Sequence, residues 1–123
     1  MKRNLFVFGL VLTLAVAALA TTRTASVTLK GYIVDNACAS SHTGDMEFAK
    51  GHPISCALMP RCAQSGYALF SEGKVYKLDE EGNKKVGALL KNTKSKKGLA
   101  VQVEGTVEGD TLHVTKIEEQ AAT

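Results

Sequence analysis

Residues 26–35 read Ser-Val-Thr-Leu-Lys-Gly-Tyr-Ile-Val-Asp and predict the first strand of the fold. The apolar side chains of Val27, Leu29 and Ile33 share one face, and polar or amphipathic side chains alternate with them on the other. That period of two is typical of a half-buried strand. Gly31 interrupts the apolar face, and a glycine inside a strand indicates a bend or bulge of the kind that closing a barrel requires.

Four more strand patterns follow later in the chain, over residues 67–70, 74–78, 99–107 and 111–117. Between the third and fourth strands, Val86, Leu89 and Leu90 recur at helical spacing. This spacing predicts a short helix over residues 84–92, after a polar turn at 79–83. Five strands with a helix between the third and fourth predict a mainly β fold, a small five-stranded OB-like barrel. The runner-up is an open β-sandwich or meander with one helix packed on a face.

An insert over residues 36–65 separates the first two strands. Residues 36–53 show no sustained period and are rich in Ser, Gly, His and Asp, which predicts a long loop. Residues 54–65 fit a short helix or turn, which Pro60 limits. A structureless loop of this length in a compact domain is usually functional or held in place by something.

Residues 1–20 have the pattern of a secretory signal peptide. A positively charged start precedes an apolar run from Leu5 to Ala20, which ends in small residues. The run is short for a membrane-spanning helix, which needs about 20 residues. We therefore expect cleavage after residue 20 and a periplasmic or secreted location. Residues 21–123 would then form one OB-like β-barrel domain without a membrane span.

Charge gives no sign of a nucleic-acid partner. Loss of Lys2 and Arg3 with the signal peptide lowers the formal net charge from +3 to +1, so no strong field steers the domain towards a polyanion. Lysines do cluster over residues 84–97, but a solvated helix face accounts for them.

We also expect that the protein is not an enzyme. Asp35 and Asp45 lie near the start of the insert, but no pattern sets them up as an acid–base pair. Asp35 fits better as the end of a strand and the start of a turn. The sequence has no phosphate-binding loop, zinc-protease helix or nucleophile elbow.

The reactive side chains are concentrated in the insert, which carries Cys38, His42, His52, Cys56 and Cys62. Thiolate and imidazole are ligands that zinc and copper prefer. The three cysteines and His52 predict a soft-metal site, with His42 as an auxiliary ligand. Met46 and Met59 in the same stretch would favour Cu(I). The spacing alone is not diagnostic, because no Cys-x2-Cys pair is present.

A disulfide is the main alternative for the same cysteines. Three thiols cannot all pair within one chain, so one is left free or serves redox or cross-linking chemistry. An exported location permits a disulfide between any two of the three. The second function hypothesis is accordingly a disulfide-stabilised module that binds an envelope protein or a glycan on a barrel face with Tyr32, Tyr67 and Tyr76.

The layout resembles that of a group of small exported bacterial proteins, largely uncharacterised, with an OB-like barrel and a Cys/His insert after the first strand. The similarity is carried by Gly-Tyr-Ile-Val-Asp-x-x-Cys at the start, by Ser-Gly-Tyr-Ala-Leu-Phe after the insert, and by Val-x-Val-x-Gly-Thr-Val-x-Gly-Asp-Thr-Leu-x-Val near the end. It covers most of the chain beyond residue 20. The resemblance implies roles for Cys38, His52, Cys56 and Cys62, and it implies no activity.

Overall fold

A computed structural model of the protein describes residues 25–121. The predicted signal peptide, residues 1–20, lies outside the described residues. The strands are β1 (Ser26–Asp35), β2 (Tyr67–Ser71), β3 (Lys74–Leu78), β4 (Leu99–Glu108) and β5 (Thr111–Glu119). The helices are α1 (Asn36–Ala39), α2 (Met46–Gly51), α3 (Ile54–Ala57), α4 (Pro60–Gln64) and α5 (Glu80–Asn92). Over this range, none of the helices is long and apolar enough to cross a membrane.

The five strands close into a barrel in the order β1-β2-β3-β5-β4, with β4 pairing back onto β1. Neighbouring strands are antiparallel except β3 and β5, which are parallel. The predicted mainly β fold and closed five-stranded barrel are therefore confirmed. In chain order, α5 follows β3 and precedes β4.

Strand β1 closes the barrel because it is long enough to pair with two neighbours. Along its length Leu29 faces Val103 of β4, and Ile33 faces Leu69 of β2. Gly31 makes this double pairing possible. A Cβ at that position would lie 1.9 Å from the carbonyl oxygen of Phe70, so no larger residue fits without a shift of the backbone.

The barrel core is built from the inward faces of the strands, and α5 adds Val86 and Leu90 to it. The predicted start of this helix was four residues too late. Asp79 caps it, and Asp79 Oδ1 accepts a hydrogen bond from the backbone N–H of Gly82 at 2.9 Å. The predicted polar turn is therefore the first turn of the helix, because an aspartate N-cap satisfies a free N–H there.

The insert is also more ordered than the sequence predicted. Residues 36–53 contain α1 and α2 instead of a plain loop, and aspartates cap both helices: Asp35 caps α1 and Asp45 caps α2. Pro60 occupies the first turn of α4 and so begins a helix, where its missing N–H costs nothing. α1 and α2 pack on the barrel through a second small core, formed by Val34, Ala39, Ala49, Ala68 and Phe70.

Candidate metal centre

The centre lies where the insert packs over the end of β1. The last three residues of β1 are buried, and the last of them, Asp35, is 0% exposed. The strand therefore carries a carboxylate into the protein interior. The short helices place the other groups around it: Cys38 lies in α1, His52 follows α2, and Cys56 and Cys62 lie in α3 and α4.

Asp35 binds two parts of the insert at once. Its Oδ2 accepts a hydrogen bond from the backbone N–H of Cys38 at 3.0 Å, which fixes the start of α1. Its Oδ1 lies 2.8 Å from Nε2 of His52, a residue that is only 3% exposed. Because a buried carboxylate costs free energy unless it is hydrogen-bonded, these partners explain how Asp35 is tolerated inside the protein.

The backbone of His52 is held as firmly as its ring. Its carbonyl oxygen accepts a hydrogen bond from the N–H of Gly98 at 2.9 Å. Gly98 has a positive φ of 69°, and a Cβ there would lie 2.2 Å from the carbonyl oxygen of Lys50. The segment before β4 therefore needs a glycine in order to support α2 and the histidine that follows it.

Two groups of candidate ligands meet in this place. The ligand atoms of Cys38, His52 and Cys56 lie within 4.8 Å of one another, and so do those of Asp35, Cys38 and Cys62. Four of the five side chains that the sequence singled out are thus brought together. Together with Asp35, these four side chains form two overlapping groups that share Cys38. The sequence had predicted a single set of three cysteines and His52.

His42 belongs to neither group. Its ring stacks on Phe48 with a centroid distance of 3.6 Å and an interplanar angle of 5°. Phe48 in turn lies 5.3 Å from the ring of His52 in a tilted contact. Phe48 thus contacts both imidazoles, and the role of His42 as an auxiliary ligand remains a prediction.

The environment changes the acidity of the cluster. Burial raises the pKa of the Cys38 thiol to about 12, and the charge and hydrogen bond of Asp35 add to this effect. Burial and the Asp35 charge also raise the pKa of Cys62. For Asp35 itself, burial opposes ionisation, but hydrogen bonds from the Cys38 backbone and from His52 outweigh it and lower the pKa. These directions favour a charged carboxylate at Asp35 and protonated thiols at Cys38 and Cys62.

A tyrosine fixes the helix that carries Cys56. Tyr67 is 4% exposed, and its hydroxyl donates a hydrogen bond to the carbonyl oxygen of Ala57 at 3.1 Å. Tyr67 is also the cross-strand partner of Asp35 in the β1–β2 pair. The barrel wall therefore positions both the carboxylate and α3.

All three cysteines are free thiols, so the predicted disulfide is not supported. Cys62 is buried, at 9% exposure, whereas Cys38 and Cys56 are partly exposed. The three cysteines of the centre thus differ in exposure, with Cys62 the most buried.

Sequence reasoning missed the functional importance of Asp35, which was expected only to end a strand. The available signal was its position three residues before Cys38, at the end of a strand whose last residues are apolar. The spacing gives a helix cap, and the apolar context implies burial. Its bond to His52, 17 residues away along the chain, could not be read from the sequence.

The centre offers thiol sulfurs, an imidazole and a carboxylate within reach of one small volume, which is the donor set of zinc and copper sites. Comparisons with protein-family models, with curated protein sequences and with solved structures found no match. The resemblance to exported bacterial proteins with an OB-like barrel therefore remains a prediction.

Proposed function

We propose that this protein is an exported, OB-like β-barrel protein that binds a soft transition metal, zinc or copper, through the Cys/His insert. The observation that carries the proposal is the meeting of Cys38, His52 and Cys56 within 4.8 Å. These residues come from three separate parts of the insert, namely α1, the residue after α2, and α3, and a bound metal would hold these parts together. The exported location rests on residues 1–20 alone, and the OB-like topology is supported by the strand order and by α5 between β3 and β4.

The contact between Asp35 and His52 supports the same proposal. In protein metal sites, a ligating histidine usually donates its other ring N–H to a carboxylate, which fixes the tautomer and makes the ring a better ligand. The bond to Asp35 engages Nε2 of His52. Nδ1 is then the ring nitrogen left to bind a metal, and the carboxylate would stabilise the charge that develops there.

The raised thiol pKa values are consistent with a site that is completed by a cation. Without a metal, burial and Asp35 keep the Cys38 thiol protonated. A bound cation reverses this effect, because coordination to a metal deprotonates a thiol. Metal binding would therefore release protons and become tighter as the pH rises.

We further propose that the centre binds and does not catalyse. Cysteine, histidine and aspartate side chains also form the nucleophilic triads of some hydrolases. Such a nucleophile needs a thiol with a lowered pKa, however, and the pKa of Cys38 is raised to about 12.

The competing hypothesis of a binding face with three tyrosines has less support. Tyr67 is buried and uses its hydroxyl inside the protein, so it cannot contribute to an exposed face. An envelope protein or glycan as partner remains a prediction from the sequence.

An equilibrium titration tests the proposal. The reduced protein is titrated with Zn²⁺ against a chromophoric chelator, and with Cu(I) under reducing conditions. We expect His52→Ala to weaken binding by at least about 100-fold, more than loss of an outer-shell partner costs. The matched control is His113→Ala, which removes a partly exposed imidazole outside both ligand groups. Equal affinities for the two variants would refute the proposal.

A further inference from the structure

The two ligand groups share one sulfur atom, that of Cys38. This sulfur belongs to one group with the ligand atoms of His52 and Cys56, and to another group with those of Asp35 and Cys62. A thiolate sulfur has more than one lone pair and can bridge two metal ions. The five side chains are therefore arranged as two sets of three around a potential bridging atom.

The two sets differ in depth. Asp35 is completely buried and Cys62 nearly so, which makes their group the inner one. In the other group His52 is buried as well, and Cys56 is partly exposed, so access from solvent to this group is through Cys56. We name them the inner group (Asp35, Cys38, Cys62) and the outer group (Cys38, His52, Cys56). An ion in the outer group has three protein ligands and leaves a fourth position open.

The charge of the fully deprotonated cluster is balanced by two divalent ions. With its thiols deprotonated, the cluster of three cysteines and Asp35 carries four negative charges, of which one divalent ion neutralises half. Across residues 25–121, the only ion-pair partner of Asp35 is His52, so no lysine or arginine offsets the remainder. Because an uncompensated buried charge is costly, a second divalent cation would stabilise the fully deprotonated centre.

Asp35 can bind an ion in the inner group and keep its hydrogen bond with His52. A carboxylate offers about four lone-pair sites. Oδ1 accepts from His52 and Oδ2 from the N–H of Cys38, so each oxygen keeps a second lone pair. The same side chain can thus orient the outer ligand and bind the inner ion.

From this geometry we infer that the centre has two metal positions, one in the inner group and one in the outer group, bridged by the thiolate of Cys38. This inference rests on the proposed function, since it requires that the insert binds metal at all. To the proposed function it adds a stoichiometry of two metal ions per chain, and it adds a difference between the two ions in their accessibility to solvent. The outer ion should exchange readily, and the inner ion should be retained.

Native mass spectrometry of the reduced full chain with saturating Zn²⁺ tests the inference. We expect two zinc ions per chain in the wild type and one in Cys62→Ser, which lacks an inner ligand. We also expect one ion in Cys56→Ser, which lacks an outer ligand. Cys62→Ala is the second inner variant, in case a serine is poorly tolerated at a buried position, and circular dichroism checks that each variant is folded.

Removal of zinc by excess chelator provides an independent readout. The wild type should release its two ions in a fast phase and a slow phase. In the inner variants, Cys62→Ser and Cys62→Ala, the slow phase should be absent and the fast phase should remain. A wild type that saturates with one zinc ion overturns the inference and leaves the proposed function standing. An inner variant that still binds two ions overturns it as well. A wild type that binds no zinc overturns both.

Discussion

Nε2 of His52 lies 2.8 Å from Oδ1 of Asp35, and both side chains are enclosed by the protein. This contact joins the end of β1 to the junction between α2 and α3. It gives the insert a fixed position on the barrel, because a buried histidine and carboxylate each need the other as a partner. In the proposed metal site the same contact would leave Nδ1 of the imidazole for the metal, and it would then serve both the fold and the site.

The Asp35→Asn variant should separate the charge of the carboxylate from its shape. We expect the affinity for the ion bound by His52 to fall by about 10- to 100-fold, because Asp35 is an outer-shell carboxylate with respect to that histidine. The pKa of Cys38 should fall below about 12, because the Asp35 charge is removed, and stay above 9.0, because burial persists. Site-resolved NMR of labelled cysteine would measure it, and an unchanged pKa would contradict the account.

The stability of the metal-free protein should decline at both ends of the pH range. Folding lowers the pKa of Asp35 from 3.8, so the ionised carboxylate stabilises the folded protein at pH values above 3.8. This stabilisation is lost as the pH falls through the pKa of the folded state. The pKa of Cys38 is raised from 9.0 to about 12, so stability is retained below 9.0 and is lost as the pH rises towards 12.

Urea unfolding across the pH range would measure this profile for the metal-free chain. In Asp35→Asn, the part of the loss of stability at low pH that comes from residue 35 should disappear. A variant that keeps the full acid dependence of the wild type would show that other carboxylates are responsible.

His42 provides a test of the predicted auxiliary ligand against the observed stack. Its ring packs flat on Phe48, so His42→Phe should keep the contact and leave metal affinity unchanged. His42→Ala should lower the free energy of unfolding by up to about 1 kcal/mol through loss of the stacked pair. If His42→Phe weakens zinc binding while stability is preserved, His42 is a ligand after all.

Closure of the barrel depends on the absence of a side chain at Gly31. Gly31→Ala would place a Cβ against the carbonyl oxygen of Phe70, and we expect a loss of about 1–3 kcal/mol or more in thermal or chemical unfolding. Gly87→Ala is the matched control, since a Cβ there meets nothing within 4 Å. This change within α5 should stabilise by about 0.5–1 kcal/mol. Equal effects of the two substitutions would argue against the close approach at Gly31.

Periodicity made most of the barrel predictable. The predicted bounds of β1, residues 26–35, agree with the observed strand, and so do those of β3, residues 74–78. Strand β1 has clear alternation over residues 26–33, and β3 has a clear boundary, because the turn at residues 71–73 precedes it. Of the short helices of the insert, α3 and α4 fall where a short helix or turn was predicted, whereas α1 and α2 escaped prediction because four to six residues are too few to show a helical period. Only α1 and α2 are capped by aspartates. Their aspartate caps were the only local signal.

The candidate site was predictable in composition and not in arrangement. The count of thiols and imidazoles identified the insert, but the division into two overlapping groups depends on how α1, α3 and α4 pack against the end of β1. The sequence also left the disulfide open, because connectivity among three cysteines is a property of the folded chain.

X-ray absorption spectroscopy at the zinc edge of the zinc-loaded, reduced protein would identify the atoms that bind the metal. We expect a shell of sulfur scatterers at about 2.3 Å together with nitrogen or oxygen at about 2.0–2.2 Å. We also expect that the sulfur shell weakens in Cys56→Ser. A zinc ion surrounded only by oxygen and nitrogen would contradict the claim that the Cys/His insert is a metal centre.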